Sequence, residues 1–174
     1  MHEYRQPAVA GMDAHGIETA QTVCSAMQAL PVQEQVARLK GYVEALGGDA
    51  DLRETGFGLA GAVKCLKARS IVEHGVLDTL QAALTNKKNN RLRAGACVAV
   101  ECLSLVLANV FEPFALKLLR DIMLKIGDKV KEVQAVAEPA FAALMTNLSA
   151  HGIYAVMPVF GECLCSRQVG RVNR

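Results

Sequence analysis

The chain has 174 residues, 52% of them hydrophobic, which is too apolar for a disordered segment and enough for one domain or a short array of repeats. Aromatics make up only 5% and Trp is absent, so Ala, Leu, Val and Gly must carry the core; that suits close-packed helices and argues against a sandwich of β-branched and aromatic strands. A net charge of +2 argues against a polycationic nucleic-acid binder, yet the charge is uneven: residues 86–131 hold nine cations against four anions, whereas residues 1–50 are net acidic.

Residues 1–30 read as a poorly ordered leader, broken by Pro7, Gly11 and Gly16, with room for one helix at 17–30. A repeat array is expected over 31–160. Pro31 suits the start of a helix, and Val32, Val36, Leu39, Val43 and Leu46 then recur at helical spacing until Gly47-Gly48-Asp49 ends the run. Leu52–Leu66 is its partner helix. Ser70-Ile71-Val72-Glu73 fits a capping box opening a second unit, whose stripe is Ile71, Val72, Val76, Leu80, Ala83 and Leu84. The polar turn 86–90 leads into a helix over Leu92–Asn109, apolar on most sides and so expected between neighbours. A third unit begins near Glu112-Pro113, with Ala115, Leu118, Leu119, Ile122, Met123 and Ile126 facing inward and Lys117, Arg120, Asp121 and Lys125 facing water. Gly127-Asp128 supplies a C-cap and an N-cap, and a helix over Lys129–Asn147 is expected to kink at Pro139. Ser149–Phe160 starts a fourth unit, and 161–174 is an irregular tail.

The second helices share an opening: Leu52-Arg53-x-x-Gly56, Leu92-Arg93-x-x-Ala96 and Val133-Gln134-x-x-Ala137. A period of about 40 residues is that of two-helix HEAT or armadillo units. The expected fold is therefore all-α: a right-handed HEAT-type α-solenoid of about three helix pairs plus an unpaired terminal helix. Such arrays present binding surfaces, so a non-enzymatic scaffold without cofactors is expected. Solenoids need polar capping helices at their ends. The first helix and Ser149–Phe160 lack that cover, so the chain reads as a piece of a longer array that self-associates when alone.

Three groups of residues invite sharper readings. The basic turn with Lys87, Lys88 and Arg91 precedes a helix N-terminus and could contact phosphate, or could be a solvated turn. Arg53 and Arg93 occupy equivalent places and are expected to form a structural ladder along the array, broken by Gln134. Gly56-x-Gly58-x-x-Gly61 fits a phosphate-loop pattern as letters but lies within a helix, where its glycines would allow close packing. The histidines (His2, His15, His74, His151) are scattered and read as surface or capping residues. Four of six cysteines sit singly in apolar helices, and Cys163-x-Cys165 has no second ligand pair, so no metal site is expected. With no secretory signal evident, the cysteines point to a reduced, cytoplasmic setting. Residues 139–161 carry no charge, but Thr146, Asn147, Ser149, His151 and Gly152 mark a turn, so two buried helices are expected there and no membrane span.

Several strings carry a resemblance: 54–66 (ETGFGLAGAVKCL), 86–105 (NKKNNRLRAGACVAVECLSL), 110–119 (VFEPFALKLL), 127–138 (GDKVKEVQAVAE) and 147–160 (NLSAHGIYAVMPVF). Together they cover about residues 52–160, with FEPF, GDK and NLSAHG the more specific parts. The stretch resembles the central HEAT region of the general-control translational activator and is similar to the HEAT domain of fungal translation elongation factor 3. That resemblance implies a scaffold on translating or stalled ribosomes, an ABC-type ATPase partner, relay to an initiation-factor kinase in amino-acid starvation, and ribosomal RNA contact at Lys87, Lys88 and Arg91. The alternative is a generic protein-binding HEAT module that does not act on the ribosome.

Overall fold

Each copy of the repeat motif opens a long helix whose buried side meets another such helix. The computed structural model describes residues 10–154, 156–158 and 161, with side-chain surroundings from residue 14. In chain order the helices are α1 (Ala10–Gln28), α2 (Val32–Ala45), α3 (Leu52–Leu66), the single turn α4 (Ser70–Glu73), α5 (Val76–Thr85), α6 (Asn90–Leu107), α7 (Glu112–Ile126) and α8 (Lys131–Thr146). A 3-10 turn, Ala108–Phe111, joins α6 to α7, and residues 150–154 and 156–158 are helical again. No strand occurs among the described residues.

The architecture is an all-α HEAT-type solenoid. Units are formed by α2 with α3, α4–α5 with α6, and α7 with α8. Helices α1, α3, α6 and α8 stack on one another as one layer, and the first helices of the units pack against it as a second. The repeat is written in the backbone too. One period apart, Lys67 ends α3 and Ala108 ends α6, both with positive φ (72° and 47°) although neither is Gly.

Helix α6 lies between α3 and α8, which is why it is apolar almost all round: residues 93–104 are all buried. Each fully buried Leu contributes roughly 1.5–3 kcal/mol, and Leu103, Leu80, Leu84, Leu118 and Leu119 are among the largest such side chains. Residues 90–126 are also the one helical stretch among those described that is long and apolar enough to cross a membrane; 72% of its most apolar window is buried in the fold.

Small residues set the spacing of the stacked layer. A methyl group at Gly61 would collide with the Ala20 carbonyl, and one at Gly95 with the Leu46 carbonyl. The glycines of α3 thus serve helix packing: Gly58 admits the Tyr42 ring and Gly56 faces the Cys102 sulfur.

The strings FEPF and NLSAHG, distant in sequence, meet in space. Phe111 is fully buried, with its ring centroid 6.0 Å from that of Phe114. The Glu112 carboxylate accepts from the Ser149 hydroxyl at 2.6 Å and from the Ser149 backbone N–H at 3.3 Å. Ser149 Oγ in turn accepts from the Gly152 N–H at 3.1 Å, and Gly152 leaves room for the Glu112 carboxylate. Asn147 donates to the carbonyls of Ser104 (2.9 Å) and Ala143 (3.1 Å), tying α8 to α6.

Several expectations need correction. Residues 10–28 are a helix built into the stack through α3, where a leader with a helix only from 17 was expected; Gly16, read as a breaker, is small because the Phe57 ring lies against it. Ser70 does not open a capping box. It is buried, its hydroxyl donates to the Lys67 carbonyl at 2.8 Å, and Glu73 pairs with Arg69 at 2.7 Å. The second unit's first helix is split at His74-Gly75, where Gly75 takes φ 66°. That break turns Val72 out to solvent (58% exposed), although the stripe had placed it inside. Val32 is likewise exposed at 67%. Lys125 faces Asp128 and keeps only 17% exposure. Pro139 lies inside α8, which continues across it. Residues 162–174, with Cys163 and Cys165, and His2 lie outside the described residues.

Candidate nucleic-acid interface

The turns between the two helices of each unit (46–51, 86–89 and 127–130) line up along one edge of the array. Side-chain hydrogen bonds from one turn to the next fasten them.

At the middle turn two asparagines fix the backbone. Asn86 Oδ1 accepts from the N–H groups of Lys88 (2.9 Å) and Asn89 (3.0 Å), and Asn89 Oδ1 caps α6 by accepting from Leu92 N–H at 3.0 Å. With the backbone polar groups satisfied, Lys87 and Lys88 project into solvent beside the positive end of an 18-residue helix.

Arg91 is exposed, and two of its donors are engaged within the array. Its Nε donates to the Gly48 carbonyl and its Nη2 to the Ala50 carbonyl at 2.8 Å, stapling the middle turn to the first. This departs from the expected free cation.

Arg93 is buried, with 7% of its side chain exposed. Its Nε and Nη2 meet the two oxygens of Asp128, each at 3.0 Å, and its Nη1 donates to the Asn86 carbonyl at 2.9 Å. One guanidinium therefore closes its own turn and grips the next. Asp128 also accepts from Val130 N–H at 3.0 Å and has Lys125 Nζ at 3.9 Å. Burial pushes the Asp128 carboxyl up, but the Arg93 and Val130 hydrogen bonds and the two cations outweigh it and hold the carboxyl below its ordinary range. Beneath this pair the Cys97 thiol is pushed up to about 12, chiefly by burial.

Arg53 reaches across to α6, 3.2 Å from Glu101 Oε1, with its guanidinium carbon 5.7 Å from the Phe57 ring centroid. Gln134 keeps half of the Arg93 role: its amide donates to the Asp128 carbonyl of its own turn.

The charge changes sign along this edge. The first turn carries Asp49 and Asp51, and Asp51 caps α3 by accepting from Arg53 and Glu54 N–H at 2.8 and 2.9 Å. The second presents Lys87 and Lys88. The third presents Lys129 and Lys131, also exposed and, like Lys87 and Lys88, outside the ion pairs of the described residues. Lys129 and Lys131 were not picked out from sequence, although they stand one repeat period after Lys87 and Lys88. Beside the edge, an open furrow of about 630 Å³ is lined by Asp51, Arg53, Arg91, Glu101, Ala135 and Pro139, among others. Its two arginines are held by the carbonyls and the carboxylate already named. Four exposed ammonium groups on a hydrogen-bonded edge can neutralise phosphates spaced along a nucleic-acid backbone.

Residues 53–169 match the family described as EF3 N-terminal HEAT repeat. The chain is 39% identical to the eIF-2-alpha kinase activator GCN1 of Dictyostelium discoideum over 121 residues, which is 70% of this chain and 4% of that protein. It is 38% identical over 109 residues, 63% of this chain, to the human stalled ribosome sensor GCN1, again 4% of that protein. Elongation factor 3 of Gonapodya prolifera is 27% identical over 133 residues, 74% of this chain and 12% of the factor. The chain thus spans only a small part of these relatives' length. No solved structure matches. With the two-helix units, their stacking and the shared motif all in place, the chain belongs to the EF3 N-terminal HEAT repeat family.

Proposed function

We propose that this chain is a non-catalytic, cytoplasmic HEAT scaffold that lies on the ribosome and serves eIF2α-kinase activation, with its turn edge against ribosomal RNA. The relatives named as kinase activator and stalled ribosome sensor support the translational setting. The single observation that carries the RNA contact is the row of free cations: Lys87 and Lys88, joined one period later by Lys129 and Lys131, on turns locked by Asn86, Asn89 and Arg93. Arg91 keeps this edge in shape and leaves the phosphate contact to the lysines. Contact with an ABC-type ATPase belongs to the same reading, through the likeness to elongation factor 3.

Ribosome co-sedimentation across a salt series tests it. Each neutralised phosphate contributes a slope of ~0.9 in log affinity against log salt, so four lysines give a slope of about 3–4. Binding that barely responds to salt would overturn the RNA contact and favour a protein-binding HEAT module working through an apolar groove.

A further inference from the structure

Helices α1 and α3 run side by side in one constant register. Gly16 faces the Phe57 ring and Ala20 faces Gly61, each pair separated by the same number of residues. The next pair in that register, one turn on, is Cys24 and Cys65. Both are free thiols, Cys24 buried and Cys65 half-buried. At Ala20–Gly61 there is no room for a methyl group, so the axes approach more closely than the usual ~8–10 Å between packed helices. A disulfide needs Cα atoms roughly 4.4–6.8 Å apart, and Cys24 and Cys65 stand one turn from that close approach. The surroundings are polar on both sides. Gln28 Nε2 stands 4.0 Å from the Cys24 sulfur, and the Cys65 thiol donates to Gln35 Oε1 at 3.8 Å. Cys24 is near enough that its sulfur, after burial, helps push the Cys65 thiol up.

We propose that Cys24 and Cys65 are an oxidative modification site, closing as a disulfide that clips α1 to α3 when the chain meets a hydroperoxide. The Cys65 thiolate, the more accessible, attacks one peroxide oxygen. The O–O bond breaks, hydroxide leaves and takes up a proton, and Cys65 becomes a sulfenic acid. The Cys24 sulfur then attacks the Cys65 sulfur; the S–O bond breaks, and the departing hydroxide takes the Cys24 proton as water. Two thiols and one hydrogen peroxide give one disulfide and two waters, the two electrons passing from the sulfurs to the peroxide. Burial pushes the Cys65 thiol up, so the first step quickens as pH rises. In a reducing cytoplasm the clip stays open and closes under oxidative load.

The test uses the full chain carrying Cys163→Ser and Cys165→Ser, treated with hydrogen peroxide and digested without reduction. The expected result is a Cys24–Cys65 linked peptide, released by dithiothreitol, with Cys97 and Cys102 still reduced. The melting temperature should shift upward on oxidation and return on reduction, because the cross-link removes freedom from the unfolded chain. Adding Cys24→Ser should abolish both the link and the shift and leave Cys65 to go on to sulfinic acid. If the intact pair gives no linked peptide, with Cys65 either unmodified or over-oxidised as in the Cys24→Ser variant, the proposal is overturned.

Discussion

The junction between the first two units and the junction between the second and third use the same device at different depths. In the first, Arg53 crosses from α3 to Glu101 on α6 while 35% of its side chain stays exposed. In the second, Arg93 and Asp128 are exposed by only 7% and 9%, meet through two parallel bonds, and share the pair with the Asn86 carbonyl and Lys125. One arginine position in the repeat thus makes a half-wet contact once and a buried, turn-locking one the next time. The buried version closes the turn that carries Lys87 and Lys88, so the proposed interface stands where the array is most tightly fastened.

The largest effect is expected from breaking the buried junction. Arg93→Ala leaves a buried Asp128 without its bidentate partner, a loss of about 3–5 kcal/mol. Arg53→Ala should cost less, about 1.5–3 kcal/mol, the range for a hydrogen bond to a charged group, because the arginine end of this pair is partly exposed although Glu101 is buried. Urea melts followed by circular dichroism would compare them, and equal losses would erase the distinction between the junctions.

Next in size is the packing that spaces the first junction. Gly61→Leu drives a side chain into the Ala20 carbonyl and should cost at least ~1–3 kcal/mol, the usual overpacking penalty. Gly41→Ala, on an α2 face with nothing within 4 Å, should instead stabilise by about 0.5–1 kcal/mol. A destabilised Gly41→Ala would mean that the α2 face is covered.

The pH dependence sharpens the contrast further. The Asp128 carboxyl is held below its unfolded value of ~3.9. Its contribution is therefore fully present above that value and is lost as pH falls through the folded one. Stability of the parent and of Asp128→Asn should differ at neutral pH and converge in acid, once the pH has fallen through the lowered folded value. A gap that persists in acid would assign the effect to packing.

How far the sequence revealed this can be read residue by residue. The Leu-Arg-x-x-Gly period exposed the solenoid because each copy opens a stacked helix, and α3 runs over Leu52–Leu66 as the pattern predicts. The stripes of α5 and α7 were legible where the helix is unbroken: Leu80, Ala83 and Leu84, then Leu118, Leu119 and Ile122. Helix α1 was not fully legible, because Gly16 answers to Phe57, far away in sequence. Val72 was misassigned because a periodic pattern carries no sign of the turn at Gly75. In the interface, the basic turn stood out by composition, but the use of Arg91 on the Gly48 and Ala50 carbonyls depends on how neighbouring turns line up. Lys129 and Lys131 were visible only by carrying the period forward from Lys87 and Lys88.

Charge reversal at the edge tests the central claim most directly. Lys87→Glu with Lys88→Glu changes two exposed side chains and should alter stability by less than ~0.5 kcal/mol per site. Ribosome co-sedimentation should fall by about tenfold or more, since two phosphate contacts are replaced by two repulsions. The control, Lys64→Glu with Lys117→Glu, makes the same charge change at exposed sites away from the turns and should bind almost as the parent does. If the edge variant melts like the parent and sediments with ribosomes as well as the control, the turn edge is not the ribosome-facing surface.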